Sequence, residues 1–177
     1  MAEEGLCGRT TMFADAFRPG RSGIDLLPVL LETHRPVELV VLMLGTNDCK
    51  SACHTTPEKI GAGIERLLDQ IKRENENLPV LLISPIHLGE TVQRYDREFD
   101  AHSVEVCRGL KAVYEQIARK RGIDFLAASD YAEPGQADQE HLTEEGHRQL
   151  SEAIFAKIQE ILLKKEDSRW LEHVFCA

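Results

Sequence analysis

Six apolar residues, Leu39-Val40-Val41-Leu42-Met43-Leu44, run without a break and stop at Gly45-Thr46-Asn47-Asp48. The run falls far short of the ~20 apolar residues of a membrane span. It is also too uniformly apolar for a strand with one wet face. It therefore reads as a strand buried on both faces, as in a parallel sheet covered by helices. Open α/β sheets bind their ligands just beyond the carboxyl ends of the strands. Asn47 is a candidate site residue on position alone.

The rest of the chain alternates in the way such a sheet requires. Residues 24–34 read as a short helix, with Pro28 near the first turn, where a proline is tolerated. Val37 to Leu44 is the first strong strand. Thr56-Pro57-Glu58 has the marks of a helix start: a threonine N-cap, proline at the first helical position and an acid in the first turn. Ile60, Ile64, Leu67, Leu68 and Ile71 follow at helical spacing. Val80 to Ile83 reads as a second buried strand, and residues 86–101 as a polar loop. Val106, Leu110, Val113, Tyr114 and Ile117 mark a helix stopped near Gly122, ahead of a third strand over Ile123 to Ala127. Leu150, Ala153, Ile154, Ile158, Ile161 and Leu162 mark the last helix, with Thr143 as its N-cap. This order predicts right-handed crossovers and an α/β fold of three layers, α/β/α, around a parallel sheet. One domain over 1–163 and a C-terminal tail over 164–177 complete the organisation. The tail turns apolar at Trp170, Leu171, Val174 and Phe175, which either dock or stay free.

Composition narrows the partners. With 177 residues and a net charge of −9, the chain is suited neither to nucleic acid nor to an anionic membrane. The start, Met1-Ala2-Glu3-Glu4-Gly5, has no basic region and no apolar core, so it does not read as a signal peptide. Five cysteines in no regular framework fit reduced thiols in the cytoplasm.

Three short motifs could carry chemistry. In Asp138-Gln139-Glu140-His141, the carboxylate can accept the imidazole Nδ1–H. That fixes the tautomer and stabilises the imidazolium when Nε2 takes a proton. The same residues also read as an ordinary turn ahead of a helix. In Gly45-Thr46-Asn47-Asp48, the Asn47 amide can donate to a developing oxyanion, or the four residues can simply turn the chain. In the loop Glu3 to Thr11, Gly8 can bring its main-chain N–H close to a substrate oxygen. Cys49, Cys53 and His54 raise a metal site, but their spacing lacks the separated second ligand pair of a structural zinc site. Arg9 either meets an acidic substrate group or pairs with a nearby glutamate.

The motifs EEGLCGRTT, LPVLLETHRPVELVVLMLGTNDCK and DQEHLTEEGH together resemble the SGNH hydrolase superfamily of GDSL-type esterases and lipases. The chain resembles its arylesterase and acyltransferase branch in particular. The resemblance covers about residues 3 to 163. It implies a flavodoxin-like parallel sheet and a serine esterase acting on short acyl esters, with acyl transfer to an alcohol or peroxide as a further reaction of that branch. It implies Asp138 and His141 as triad members and Gly8 and Asn47 as oxyanion-hole donors. It implies no metal or organic cofactor, a small ester as substrate, no nucleic-acid or membrane partner, and a homo-oligomer.

The chain departs from that pattern in one respect. The family's first block is a strand followed by Gly-Asp-Ser, whose serine is the nucleophile. It lies well upstream of the Gly8 loop, where this chain has only seven residues, and no Gly-Asp-Ser occurs in the sequence. The nucleophile is thus unknown. Ser84, at the end of the second strand, is the nearest substitute by position, and Cys7 reads as a structural thiol. The expectation is a sheet without the family's N-terminal strand and helix, Met1 standing inside a longer gene, and no esterase activity for the chain alone. The competing expectation is a catalytically silent module that binds acyl ligands. The absent strand would neighbour Val37–Leu44, so that strand is expected to form an exposed edge prone to dimerise.

Overall fold

The computed structural model describes residues 1–15 and 18–175, with the side chains of 166–175 outside the description. The elements run α1 (Gly23–Thr33), β1 (Val40–Met43), α2 (Pro57–Glu74), β2 (Val80–Ser84), α3 (Ala101–Arg121), β3 (Asp124–Ala127) and α4 (Glu144–Phe175). The apolar tail residues Trp170, Leu171, Val174 and Phe175 lie outside the described side chains. Among the described residues, no helix is long and apolar enough to cross a membrane.

The strands form one parallel sheet in the order β1-β2-β3. Val40 pairs with Val80 and Met43 with Ile83 on one side of β2, and Leu81 with Asp124 and Ser84 with Ala127 on the other. Because the strands follow one another in a single direction, right-handed crossovers put α2 and α3 on the same face. The core agrees. Leu31 of α1, Ile60, Ile64, Leu67, Leu68 and Ile71 of α2, and Leu110, Tyr114 and Ile117 of α3 cluster with Leu42, Val80 and Leu82. The opposite face is covered by α4, whose Leu150 and Ile161 meet Leu81, Ile83 and Leu126. These are the three expected layers.

Local chemistry explains where the helices begin. The Thr56 hydroxyl accepts the Lys59 N–H, and Pro57 occupies the first helical position. Asp100 and Ser103 form a reciprocal capping box ahead of α3. The Thr143 hydroxyl accepts the Gly146 N–H at the start of α4.

The structure differs from the sequence reading in three places. Pro28 sits inside α1, beyond its first turn. A proline there leaves the carbonyl four residues back without its helical donor. The Gln70 side-chain amide supplies one, donating to the Ile24 carbonyl at 2.7 Å. Second, β1 is shorter than Val37–Leu44 and is not buried on both faces: Leu42 is 6% exposed, but Val41 and Met43 are 41% and 45% exposed. Among the described residues β1 pairs only with β2, and α4 packs mainly over β2 and β3. Third, the segment 86–101 is not simply polar. Leu88, Val92 and Phe99 are buried in the core on the α1–α3 side, around a helical turn at Val92–Arg94.

Candidate active site

All three strands point the same way, so every loop that follows a strand emerges at one edge of the sheet. The turn Asn47–Cys49 follows β1, the segment from Pro85 follows β2, and the loop holding Asp138 and His141 follows β3.

The turn after β1 is tied to the N-terminal loop by one carboxylate. Asp48 is fully buried. It accepts the Thr11 N–H with both oxygens, at 2.9 and 3.0 Å, and the Thr11 hydroxyl with Oδ1. Burial pushes its carboxyl up to about 6, against the lowering effect of the Thr11 bonds. Thr11 approaches this closely because α2 carries a glycine beneath it; a Cβ at Gly63 would overlap the Thr11 hydroxyl.

Gly8 lies on the same loop with φ +82°, a conformation that favours glycine. The Arg18 guanidinium stands beside it, 3.4 Å from where a Cβ would be. Arg18 bonds Asp15 and Glu98, and Glu98 also accepts from the buried Lys50 Nζ at 2.7 Å. The Lys50 and Arg18 cations hold the Glu98 carboxyl below its usual range. Two ties, Thr11–Asp48 and Arg18–Glu98–Lys50, thus hold the Gly8 loop against the segment that begins at Asn47.

The third loop is closed on itself. The Gly135 N–H donates to the His141 carbonyl at 2.7 Å, and Pro134 bridges Leu142. Within it, Asp138 Oδ1 accepts the main-chain N–H groups of Glu140 and His141, each at 2.9 Å, while Oδ2 lies 2.9 Å from His141 Nδ1. The main-chain bonds, more than the imidazole, hold the Asp138 carboxyl below its ordinary range. With Nδ1 facing Asp138, Nε2 is the nitrogen left to take a proton. The His141 side chain is 68% exposed, so an incoming group can reach it. Glu140 Oε2 stands 4.0 Å from Nδ1, and burial raises its carboxyl. The Gly89 N–H donates to the Gln139 carbonyl at 2.7 Å and joins this loop to the segment after β2.

The sequence candidates are therefore placed as follows. Asp138 meets His141 directly. Gly8 and Asn47 are joined through Thr11 and Asp48. Among the described residues, no hydrogen bond or ion pair links the His141 loop to Gly8 or Asn47. Ser84 is fully buried, and among the described residues its hydroxyl has no hydrogen-bond partner. Cys7 is exposed. The Cys49 thiol faces the Gly45 carbonyl at 3.3 Å, and the Cys53 thiol faces the Asn47 carbonyl at 3.9 Å. Among the described residues, no three His, Cys, Asp or Glu side chains are grouped to hold a metal ion. Arg9 Nε is buried and has no hydrogen-bond partner among the described residues, so no described glutamate pairs with it through that atom. Sequence reasoning missed Asp48 and Thr11. The signal was available in part: Asp48 directly follows Asn47 at the tip of a buried strand.

Residues 2–149 match the model of the GDSL-like lipase/acylhydrolase family. Among solved structures, a carbohydrate acetylesterase from Sinorhizobium meliloti is 31% identical with a TM-score of 0.85, over 90% of this chain and 77% of that one. The native aryl esterase of M. smegmatis is 30% identical with the same TM-score, over 90% of this chain and 77% of that one. A GDSL-like lipase from Bacteroides thetaiotaomicron, 19% identical over 90% of this chain and 75% of that one, shares the fold with a TM-score of 0.68. Among curated proteins, none matches the chain.

Proposed function

Because the chain belongs to the GDSL-like lipase/acylhydrolase family, we propose that its residues form the base and the oxyanion site of a carboxylester hydrolase. The observation that carries this reading is the Asp138–His141 pair, 2.9 Å apart, at the sheet edge from which the Asn47 turn also emerges. His141 Nε2 takes the proton of a nucleophilic hydroxyl as that oxygen attacks the ester carbonyl. It returns the proton to the leaving alcohol as the acyl-enzyme forms. Asp138 keeps the imidazole in the required tautomer and stabilises the imidazolium. The Gly8 N–H and the Asn47 amide meet the charge that grows on the carbonyl oxygen. One well-placed donor of this kind contributes ~3 kcal/mol to the transition state. Water then releases the acyl group, with an alcohol or peroxide as alternative acceptors.

Short acyl groups on phenols or sugars are the substrate class. The aryl esterase and the carbohydrate acetylesterase, each at least 30% identical to this chain, support that choice. The chemistry uses protein groups alone and needs no cofactor, in a cytoplasmic protein that self-associates.

The 177 residues contain no Gly-Asp-Ser, and Ser84 is sealed in the core. These residues by themselves are accordingly inactive. The test is hydrolysis of p-nitrophenyl acetate by the 177-residue chain and by a chimera that adds a strand ending in Gly-Asp-Ser upstream of Gly8. The first is expected at background. The second is expected to gain turnover that His141→Ala removes. A folded chimera whose activity ignores His141→Ala overturns the assignment. The same absence of a nucleophile favours a second reading, a module that binds acyl ligands without turnover. Saturable binding of an ester by the 177-residue chain, with no turnover in a folded chimera, would favour it.

A further inference from the structure

The two candidate oxyanion donors sit on segments far apart in the chain. Gly8 belongs to an N-terminal loop without regular structure, and Asn47 to the turn that follows β1. An oxyanion site works only if its donors are fixed before charge develops, and a misplacement of ~1 Å is costly. Some group must therefore set the distance between these two segments. We infer that Asp48 is that positioning residue: by gripping Thr11 it fixes the spacing between Gly8 and Asn47. This inference rests on the reading of Gly8 and Asn47 as oxyanion donors.

The geometry is specific. Thr11 presents two donors to Asp48, its main-chain N–H and its hydroxyl, and the carboxylate receives both. An amide at position 48 would offer one acceptor oxygen and a competing N–H₂ group, so it could not do the same. Asp48 is fully buried, so neither bond is open to bulk solvent. Its own position is fixed: the Asp48 N–H donates to the Gly45 carbonyl at 3.1 Å, and it lies inside the tight turn that Asn47 opens. On the other side of the tie, the short path from Thr11 to Gly8 is braced. The Thr10 N–H donates to the Arg21 carbonyl, and the Arg9 N–H to the Leu6 carbonyl. A displacement at Thr11 is therefore passed along the loop to Gly8. Gly63 completes the device by leaving space for the Thr11 side chain.

The test reads the 177-residue chain by ¹⁵N NMR, each variant being observed across the tie from its own substitution. Asp48→Asn is read at the Gly8 amide, and Thr11→Val at the Asn47 side-chain amide. Both resonances are expected to move. The Thr11 amide proton is expected to exchange at least roughly tenfold faster in Asp48→Asn, the effect of losing a hydrogen bond to a charged group. Thr11→Ser, which keeps both donors, is expected to restore the wild-type positions. Amides of α2 serve as the control for folding. If Asp48→Asn does not fold, Thr11→Val and Thr11→Ser decide. Gly8 and Asn47 resonances that stay in place in folded variants, or a Thr11→Ser that behaves like Thr11→Val, would overturn the inference. A merely structural Asp48 would lower the melting temperature without moving either reporter. No turnover is measured, so failure of the hydrolase reading and failure of this tie are separate results.

Discussion

Asp138 holds His141 twice, once by the main chain and once by the ring. Its Oδ1 accepts the His141 N–H and its Oδ2 lies 2.9 Å from Nδ1 of the same residue. The carboxylate is thus fixed by the backbone before the imidazole uses it. Asp138→Asn keeps an oxygen for the main-chain bonds but offers no second acceptor to the ring. In the serine-bearing chimera, kcat on p-nitrophenyl acetate is expected to fall by roughly 10⁴-fold, the effect of a lost tautomer. Stability is expected to change by no more than about 1 kcal/mol, because position 138 is half-buried and the asparagine oxygen still accepts the main-chain bonds. A variant that unfolds, or one that keeps full kcat, would contradict this assignment.

Asp48 makes stability depend on pH in the direction opposite to most carboxylates. Its folded-state pKa lies near 6, above the ordinary 3.8. Below about pH 4 the group is protonated in both states, and its contribution is fully present. Between about 4 and 6 the unfolded chain ionises first, so stability falls as pH rises, and above 6 the loss is complete. The shift corresponds to about 3 kcal/mol. Urea titrations from pH 4 to 8 are expected to show this fall in the wild type and not in Asp48→Asn. Parallel profiles for the two proteins would refute it.

Gly63→Ala tests the space beneath Thr11. The added methyl group meets the Thr11 side chain rather than solvent. Despite the better helix propensity of alanine, the substitution is expected to destabilise by about 1–3 kcal/mol. Thermal unfolding checks the sign: a rise in Tm would mean that Thr11 moves aside freely.

The outer edge of β1 is expected to drive self-association. Among the described residues β1 pairs only with β2, and it carries exposed Val41 and Met43. Such an edge is a template for another strand. Light scattering after size exclusion is expected to show dimers or larger species, with Val41→Lys or Met43→Lys shifting them to monomer. A wild-type monomer at high micromolar concentration would count against it.

What could be read from the sequence was local. The Thr56-Pro57-Glu58 start of α2 and its apolar stripe need only neighbours in the chain, and both were legible. The parallel sheet followed from the alternation of elements. The exposure of Val41 and Met43 was not legible, because burial of a strand depends on what lies beside it and above it. Nor was the burial of Val92 and Phe99, which sit in an irregular segment with no period to read. Within the site, Asp138 and His141 are close in sequence, and their pairing was anticipated. The role of Asp48 was hidden because its partner, Thr11, belongs to a loop on the other side of α1.

The two faces of the sheet are unequally provided for. Three helices share the cover of one, and their cores overlap at Leu42, Val80 and Leu82. On the other face, the described cover of Leu81, Ile83 and Leu126 comes mainly from α4. Damage to any one of α1, α2 or α3 leaves two companions in place, whereas damage to α4 strips most of a layer. That same helix starts at Glu144, immediately after the loop that carries His141. A cut or substitution that loosens α4 from the sheet therefore also removes the footing of His141, so the smaller of the two core clusters and the Asp138–His141 loop share a single point of failure.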